Sequence, residues 1–180
     1  IPHITDEIKE NIQHLSKQGE YDIIITEIGG TVGDIESLPY VEAVRQMKWE
    51  FDDDCIVVHL TLIPYLAAAG ELKTKPTQHS VKALLELGVQ PDVLCCRTEH
   101  DLDLTLRKKI AKFCNVMPEA VIESKDAASI YEVPLLMQEE ELDTIVLKKL
   151  GLSRKSTPNL DSWKEFLDRL ENPTTEVNIG

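Results

Sequence analysis

The chain has 180 residues, 42% hydrophobic and 28% charged, with a formal net charge of −13. That is an ordinary globular mixture of single-domain size, which argues against disorder and fibrous architecture, and the acidity argues against general nucleic-acid binding. No apolar run approaches the ~18 residues of a membrane span, so the sequence points to a soluble, cytoplasmic protein with no membrane or nucleic-acid partner.

In chain order, residues 5–18 place Ile8, Ile12 and Leu15 on one helical face, with Thr5 as the expected N-cap and Gly19 as the stop. Residues 21–27 (YDIIITE) are β-branched and nearly all apolar, which predicts a strand buried on both faces of a parallel sheet. Residues 38–49 read as a helix that tolerates Pro39 in its first turn, and 55–62 (CIVVHLTL) as a second strand. A turn-rich stretch leads to a helix over 77–87, stopped by Gly88; a third strand follows at 93–96, then a basic helix over 104–114 and a short fourth strand at 120–122. The tail predicts helices over 142–150 and 162–170, joined by a loop at 153–158. Strand and helix alternate, which is the pattern of right-handed βαβ crossovers: an α/β fold, a mostly parallel sheet with helices on both faces.

Cys55, Cys95, Cys96 and Cys114 contain no C-x-x-C pair and read as buried free thiols, with Cys95 and Cys96 on opposite faces of their strand. The five histidines show no zinc-ligand spacing, and no serine sits in a G-x-S-x-G setting. The chain opens Ile1-Pro2-His3 and closes Glu176-Val177-Asn178-Ile179-Gly180, which resembles a strand just starting, so we expect part of a longer polypeptide. No G-x-x-x-x-G-K-[ST] phosphate loop occurs in these residues, so an ATP site is expected to be incomplete within them.

Ligands of open parallel sheets sit outside the carboxyl ends of the strands. Two polar clusters follow predicted strands. The first, residues 27–37, holds Glu27, Asp34 and Glu36 among Gly29, Gly30 and Gly33. A carboxylate such as Glu27 can hold a hydrated Mg²⁺ against phosphates, and glycines permit positive φ and close backbone approach, although a tight turn with solvated acids explains the same residues. The second, residues 70–80, puts Lys73 and Lys75 at the start of a helix, where ammonium groups and unpaired N–H groups both favour phosphate oxygens; Gln78 can bond a base or ribose. A solvated basic loop is the alternative, but on a chain this acidic a local basic loop is what draws in an anion. Of Arg107, Lys108 and Lys109, most are expected to be the solvated face of a helix, with one free to face the site.

The segments E-I-G-G-T-V-G-D-I-E-S over 27–37, G-E-L-K-T-K-P-T-Q-H-S over 70–80, and C-N-V at 114–116 followed by S-K-D-A-A-S-I-Y at 124–131 together resemble the CTP synthase family. The resemblance runs the length of the chain and corresponds to the second half of the synthetase (amidoligase) domain. It implies a phosphate-loop NTPase-like, dethiobiotin-synthetase-like fold lacking its N-terminal phosphate-loop portion. Residues 1–150 would be the partial core, and 151–180 a C-terminal helix and the start of a linker to a glutaminase domain. It implies an enzyme that phosphorylates the 4-oxygen of UTP with Mg²⁺-ATP and lets ammonia from glutamine displace that phosphate to give CTP. By resemblance Glu27 is a Mg²⁺ ligand. Asp34, Ile35 and Glu36 match the contact for CTP as feedback inhibitor. Lys73, Thr74, Lys75, Pro76, Thr77 and Gln78 match the UTP/CTP triphosphate segment, with Lys73 and Lys75 as the catalytic candidates. Lys109 matches a further UTP/CTP contact, and Lys125, Asp126 and Ala127 the adenine side of ATP. Family members are expected to be homotetramers with nucleotide sites between subunits. Two other readings stand beside this one: a nucleotide-binding and oligomerisation fragment without turnover, and a related ligase of the dethiobiotin synthetase type, in which the 70–78 run has no assignable role. These 180 residues alone are expected not to make CTP.

Overall fold

The computed structural model describes residues 2–153 and 156–177. In chain order its elements are α1 (Pro2–Gln13), α2 (Leu38–Phe51), β1 (Val58–Ile63), β2 (Tyr65–Leu66), β3 (Glu71–Leu72) and α3 (Lys75–Glu86). There follow β4 (Val93–Thr98), α4 (Leu104–Cys114), β5 (Val121–Lys125), α5 (Val133–Glu139), α6 (Leu142–Lys149) and α7 (Asp161–Glu171). Strands β1, β4 and β5 form a parallel sheet in that order, and β2 and β3 a small antiparallel ribbon. The expected α/β class, with a parallel sheet between helices, is what forms, and it fits a phosphate-loop-like NTPase fold.

Alternation along β1 buries His59, Thr61 and Ile63 and exposes Val58, Leu60 and Leu62. The register Thr61↔Cys96 and Leu94↔Val121 then lines Ile63, Leu94, Cys96 and Val121 along one face. Val81 of α3 and Ile110, Ala111 and Cys114 of α4 close over that face as the main core. On the opposite face Val93, Ala120 and Ile122 pack with Met137 of α5 and Leu142 and Ile145 of α6. Helices therefore cover both faces, but the second face is covered only over β4 and β5: Leu60 on β1 is 65% exposed. All four cysteines are free; Cys96 and Cys114 are buried, as expected, while Cys55 and Cys95 are only half-buried. Cys95 and Cys96 do lie on opposite faces, and burial pushes the Cys96 thiol up to about 12.

Several expectations need correction. Residues 21–27 form no strand, and Ile25 is 92% exposed. Apolar, β-branched composition suits a pleated surface, but a strand exists only where a neighbour takes its backbone hydrogen bonds, and none of the described residues does so for this segment. Among the described residues the sheet thus has three parallel strands rather than four. Thr5 is no N-cap: it lies inside α1, buried, with its hydroxyl donating to the Pro2 carbonyl at 3.0 Å. The first helix ends at Gln13; a separate 3-10 turn, Ser16–Gln18, is closed by Gly19 at φ 70. Strands β4 and β5 run beyond the expected 93–96 and 120–122, to Thr98 and Lys125, because pairing to a neighbour carries polar residues into the ladder. The ribbon β2–β3 and helix α5 leave no mark in the periodicity, being two and seven residues long. Helix α4 forms over the predicted residues, capped by Asp103, whose Oδ1 accepts from the Leu106 N–H at 2.7 Å. The expected loop at 153–158 includes residues 154–155, and the expected strand start at 176–180 includes residues 178–180, all outside the described residues, as is residue 1.

Candidate functional site

Parallel strands β1, β4 and β5 end together at Ile63, Thr98 and Lys125, so the three segments that leave them meet at one edge of the sheet. After β1 the ribbon doubles back, and the Lys73 N–H donates to the Pro64 carbonyl at 2.9 Å, which sets the start of α3 beside the end of β1. Thr77 locks it there: its hydroxyl donates to the Leu62 carbonyl at 3.1 Å and lies 3.1 Å from Thr61 Oγ1, and the residue is fully buried. Thr74 is also buried, its hydroxyl accepting from Gln78 Nε2 at 3.1 Å. Of the predicted segment, then, Thr74 and Thr77 are anchors. Lys75 and Pro76 are exposed in the first turn of α3, with Lys73 and Gln78 half-exposed.

Lys73 Nζ pairs with Glu71, whose carboxyl is held below its ordinary value first by that hydrogen bond, then by the Lys73 charge and the charge of Lys109. Lys109 on α4 therefore lies within electrostatic reach of the ribbon. Arg107, two positions before it, is not available to a ligand. Its guanidinium forks onto Glu140 at 2.5 and 2.9 Å and donates to the Leu102 and Val121 carbonyls, each at 3.0 Å. Burial alone would raise the Glu140 carboxyl, but the hydrogen bonds from Arg107 and the Glu123 N–H lower it. This fork ties α4, β5 and the α5–α6 junction together.

Near the end of β4, Arg97 Nε bonds Asp126 Oδ1 at 2.8 Å, and the Asp126 N–H donates to the Thr98 carbonyl at 2.9 Å. His100 packs its ring on Tyr65 of β2 with centroids 4.1 Å apart. Lys125 pairs with Asp101, which raises the lysine and lowers the aspartate. The carboxyl edge thus gathers Lys73, Lys75, Gln78, Lys109, Lys125, Asp126 and Ala127 from three segments far apart in sequence. Arg97 and Asp101 belong to the same edge and were missed, because the expected strand stopped at Cys96; a strand carried two residues further would have brought Arg97 to notice.

Asp34, Ile35 and Glu36 are elsewhere. Their loop is folded on itself: Asp34 Oδ2 accepts from the Thr31 N–H at 3.2 Å, and the Ser37 hydroxyl donates to the Asp34 carbonyl at 2.8 Å. Val32 then anchors it against Val41, Leu84 and Val89, alongside Val57 and Leu87. Leu84 and Val89 lie at the far end of α3 and Val57 just before β1, so within one chain this loop sits at the amino edge of the sheet, opposite the lysines. Ile35 is 82% exposed. Glu27 is also exposed. Among the described residues no group of three or more His, Cys, Asp or Glu could hold a metal. Glu27 fits a cation only as a single carboxylate for an otherwise hydrated ion, the way Mg²⁺ is usually held.

One further pair lies outside the sequence expectations: His59 Nε2 is 2.9 Å from Ser80 Oγ. It is a packing contact between β1 and α3, with burial lowering the imidazole and no carboxylate bonded to it among the described residues. Also among the described residues, no helix is long and apolar enough to cross a membrane.

The sequence model of one protein family, described as "CTP synthase N-terminus", matches residues 1–152. Curated relatives include proteins named CTP synthase from Christiangramia forsetii, 66% identical, Flavobacterium johnsoniae, 64% identical, and Bacteroides fragilis, 61% identical. Each alignment covers the whole of this chain and 33–34% of the relative, so the chain spans about a third of the length of these relatives.

Proposed function

Because the chain belongs to the CTP synthase N-terminus family, we propose that it is part of a ligase of pyrimidine biosynthesis: the synthetase portion of an enzyme that aminates UTP to CTP with ATP. The observation that carries this reading is the convergence of Lys73, Lys75, Lys109 and Lys125 on the carboxyl edge of the sheet in a chain of net charge −13. An otherwise acidic surface repels nucleotides, so this edge is where a triphosphate gains most.

In this reading Lys73, Lys75, Lys109 and the first-turn N–H groups of α3 hold the UTP triphosphate, with Gln78 bonding ribose or base. Lys125, Asp126 and Ala127, on the neighbouring strand end, receive the adenine side of ATP. The γ-phosphoryl group passes to the 4-oxygen of UTP with departure of ADP; ammonia then adds at C4, loses a proton, and inorganic phosphate leaves. Lys73 and Lys75 assist by stabilising charge on the phosphates. Mg²⁺, held through Glu27, supplies neutralisation of the nucleotide phosphates. Ammonia comes from a glutaminase domain to which residues 151–180 lead; 1–150 are the core. Asp34, Ile35 and Glu36, at the opposite edge of one chain, contribute their CTP contact to the site of a neighbouring copy in a cytoplasmic homotetramer.

The second reading, nucleotide binding and assembly without turnover, is favoured by the lack of a G-x-x-x-x-G-K-[ST] motif in these 180 residues. Calorimetric titration with UTP tests the first: binding is expected, weakened roughly tenfold by Lys75→Met, the value of one charge-assisted contact. Failure of UTP to bind overturns it. An ammonia-dependent CTP assay on the same chain is expected to give no turnover under either reading; turnover above blank would remove the second.

A further inference from the structure

Every basic side chain of the carboxyl edge that could meet an anion has its own carboxylate, except Lys75 and Lys109, for which the described residues show no ion pair. Lys73 has Glu71, Lys125 has Asp101 and Arg97 has Asp126. In the Glu71–Lys73 pair the carboxylate lies two residues before the lysine, on strand β3 of the ribbon that leads into α3. A carboxylate paired with that lysine occupies the position a phosphate oxygen would take.

Resting on the reading that this edge binds nucleotide phosphates, we propose that Glu71 competes with anionic ligands for Lys73, so that a polyphosphate binds only by drawing Lys73 away from it. The competitor is tethered, so it is present at the high effective concentration of a short linker and never diffuses away. Lys73 and Glu71 are both substantially exposed, with side-chain exposures of 40% and 57%, so the pair is weak enough to open. Its cost falls equally on every anion that uses Lys73, so Glu71 sets the strength of anion binding at this edge and leaves the ranking of anions to the contacts made by Lys75 and Lys109.

The test is titration of the 180-residue chain with inorganic triphosphate at low salt, comparing wild type, Glu71→Gln, Lys73→Met and the double variant. Glu86→Gln, an equal charge change at the exposed end of α3, where the pair with Lys82 is 3.9 Å long, controls for net charge. We expect Glu71→Gln to tighten binding roughly three- to fivefold, the size of one surface ion pair, Glu86→Gln to leave it unchanged, and the gain from Glu71→Gln to vanish when Lys73 is Met. Unchanged or weaker binding in Glu71→Gln overturns the proposal. So does a gain that persists without Lys73, which reduces the effect to general charge. In both cases UTP binding that depends on Lys75 leaves the reading of the edge standing. If neither wild type nor Glu71→Gln takes up triphosphate, the competition has no ligand and the proposal falls.

Discussion

On the β5 side of the sheet both faces are covered, by α4 on one and by α5 and α6 on the other, and the Arg107–Glu140 fork joins the covering layers. On the β1 side α3 covers one face only; Val58, Leu60 and Leu62 face outward, and the apolar residues 21–27 form no strand. The two flanks have similar composition, rich in Val, Ile and Leu. What separates them is partners, so composition alone predicts burial on both sides and is right on one.

Substitutions can break that comparison. Ile122→Ala, in the covered flank and 1% exposed, is expected to cost about 2–5 kcal/mol in chemical unfolding. Arg107→Met leaves the half-buried Glu140 without its fork and is expected to cost about 3 kcal/mol. Gly88→Ala is expected to cost about 1–2 kcal/mol, because Gly88 has φ +81 and a Cβ there lies 2.7 Å from Arg45 Cδ. At the other extreme, Ile25→Ser is expected to change stability by no more than about 0.5 kcal/mol. A cost near that of Ile122→Ala would show that residues 21–27 are covered in solution, and the contrast between flanks would disappear.

Acid sharpens the same contrast. The folded Glu140 carboxyl titrates below its ordinary 4.5, so its contribution is complete above that pH and is lost as pH falls through the lower folded value. Glu140→Gln is expected to flatten the loss of stability below pH 4.5, read from urea midpoints.

Much of this is legible in the sequence where a signal is local. Periodicity finds α2, α3, α4, α6 and α7 to within a few residues, since an amphipathic stripe with a cap is written in adjacent residues. The candidate site is proposed from motifs: the run at 73–78 and the residues 125–127 follow β1 and β5, whose ends share one edge of the sheet. The division of labour inside it is not legible. Nothing in the run distinguishes Thr77, buried against Leu62 and Thr61, from Lys75, exposed in the same helical turn. Arg107, Lys108 and Lys109 likewise look alike until Glu140, 33 residues on, claims the first of them.

By itself the sequence determined the alternation of strand and helix, the acidity, the family, and which residues are chemically equipped to meet a phosphate, because each of these depends on residue identity and short spacing. Only the tertiary structure decided that residues 21–27 have no strand neighbour among the described residues, that Asp34 and Lys73 lie at opposite edges, and that Glu71 pairs with Lys73. Those facts depend on which distant groups share the limited positions around a sheet, and hydrogen bonds and charges act over a few ångströms of space whatever the distance along the chain.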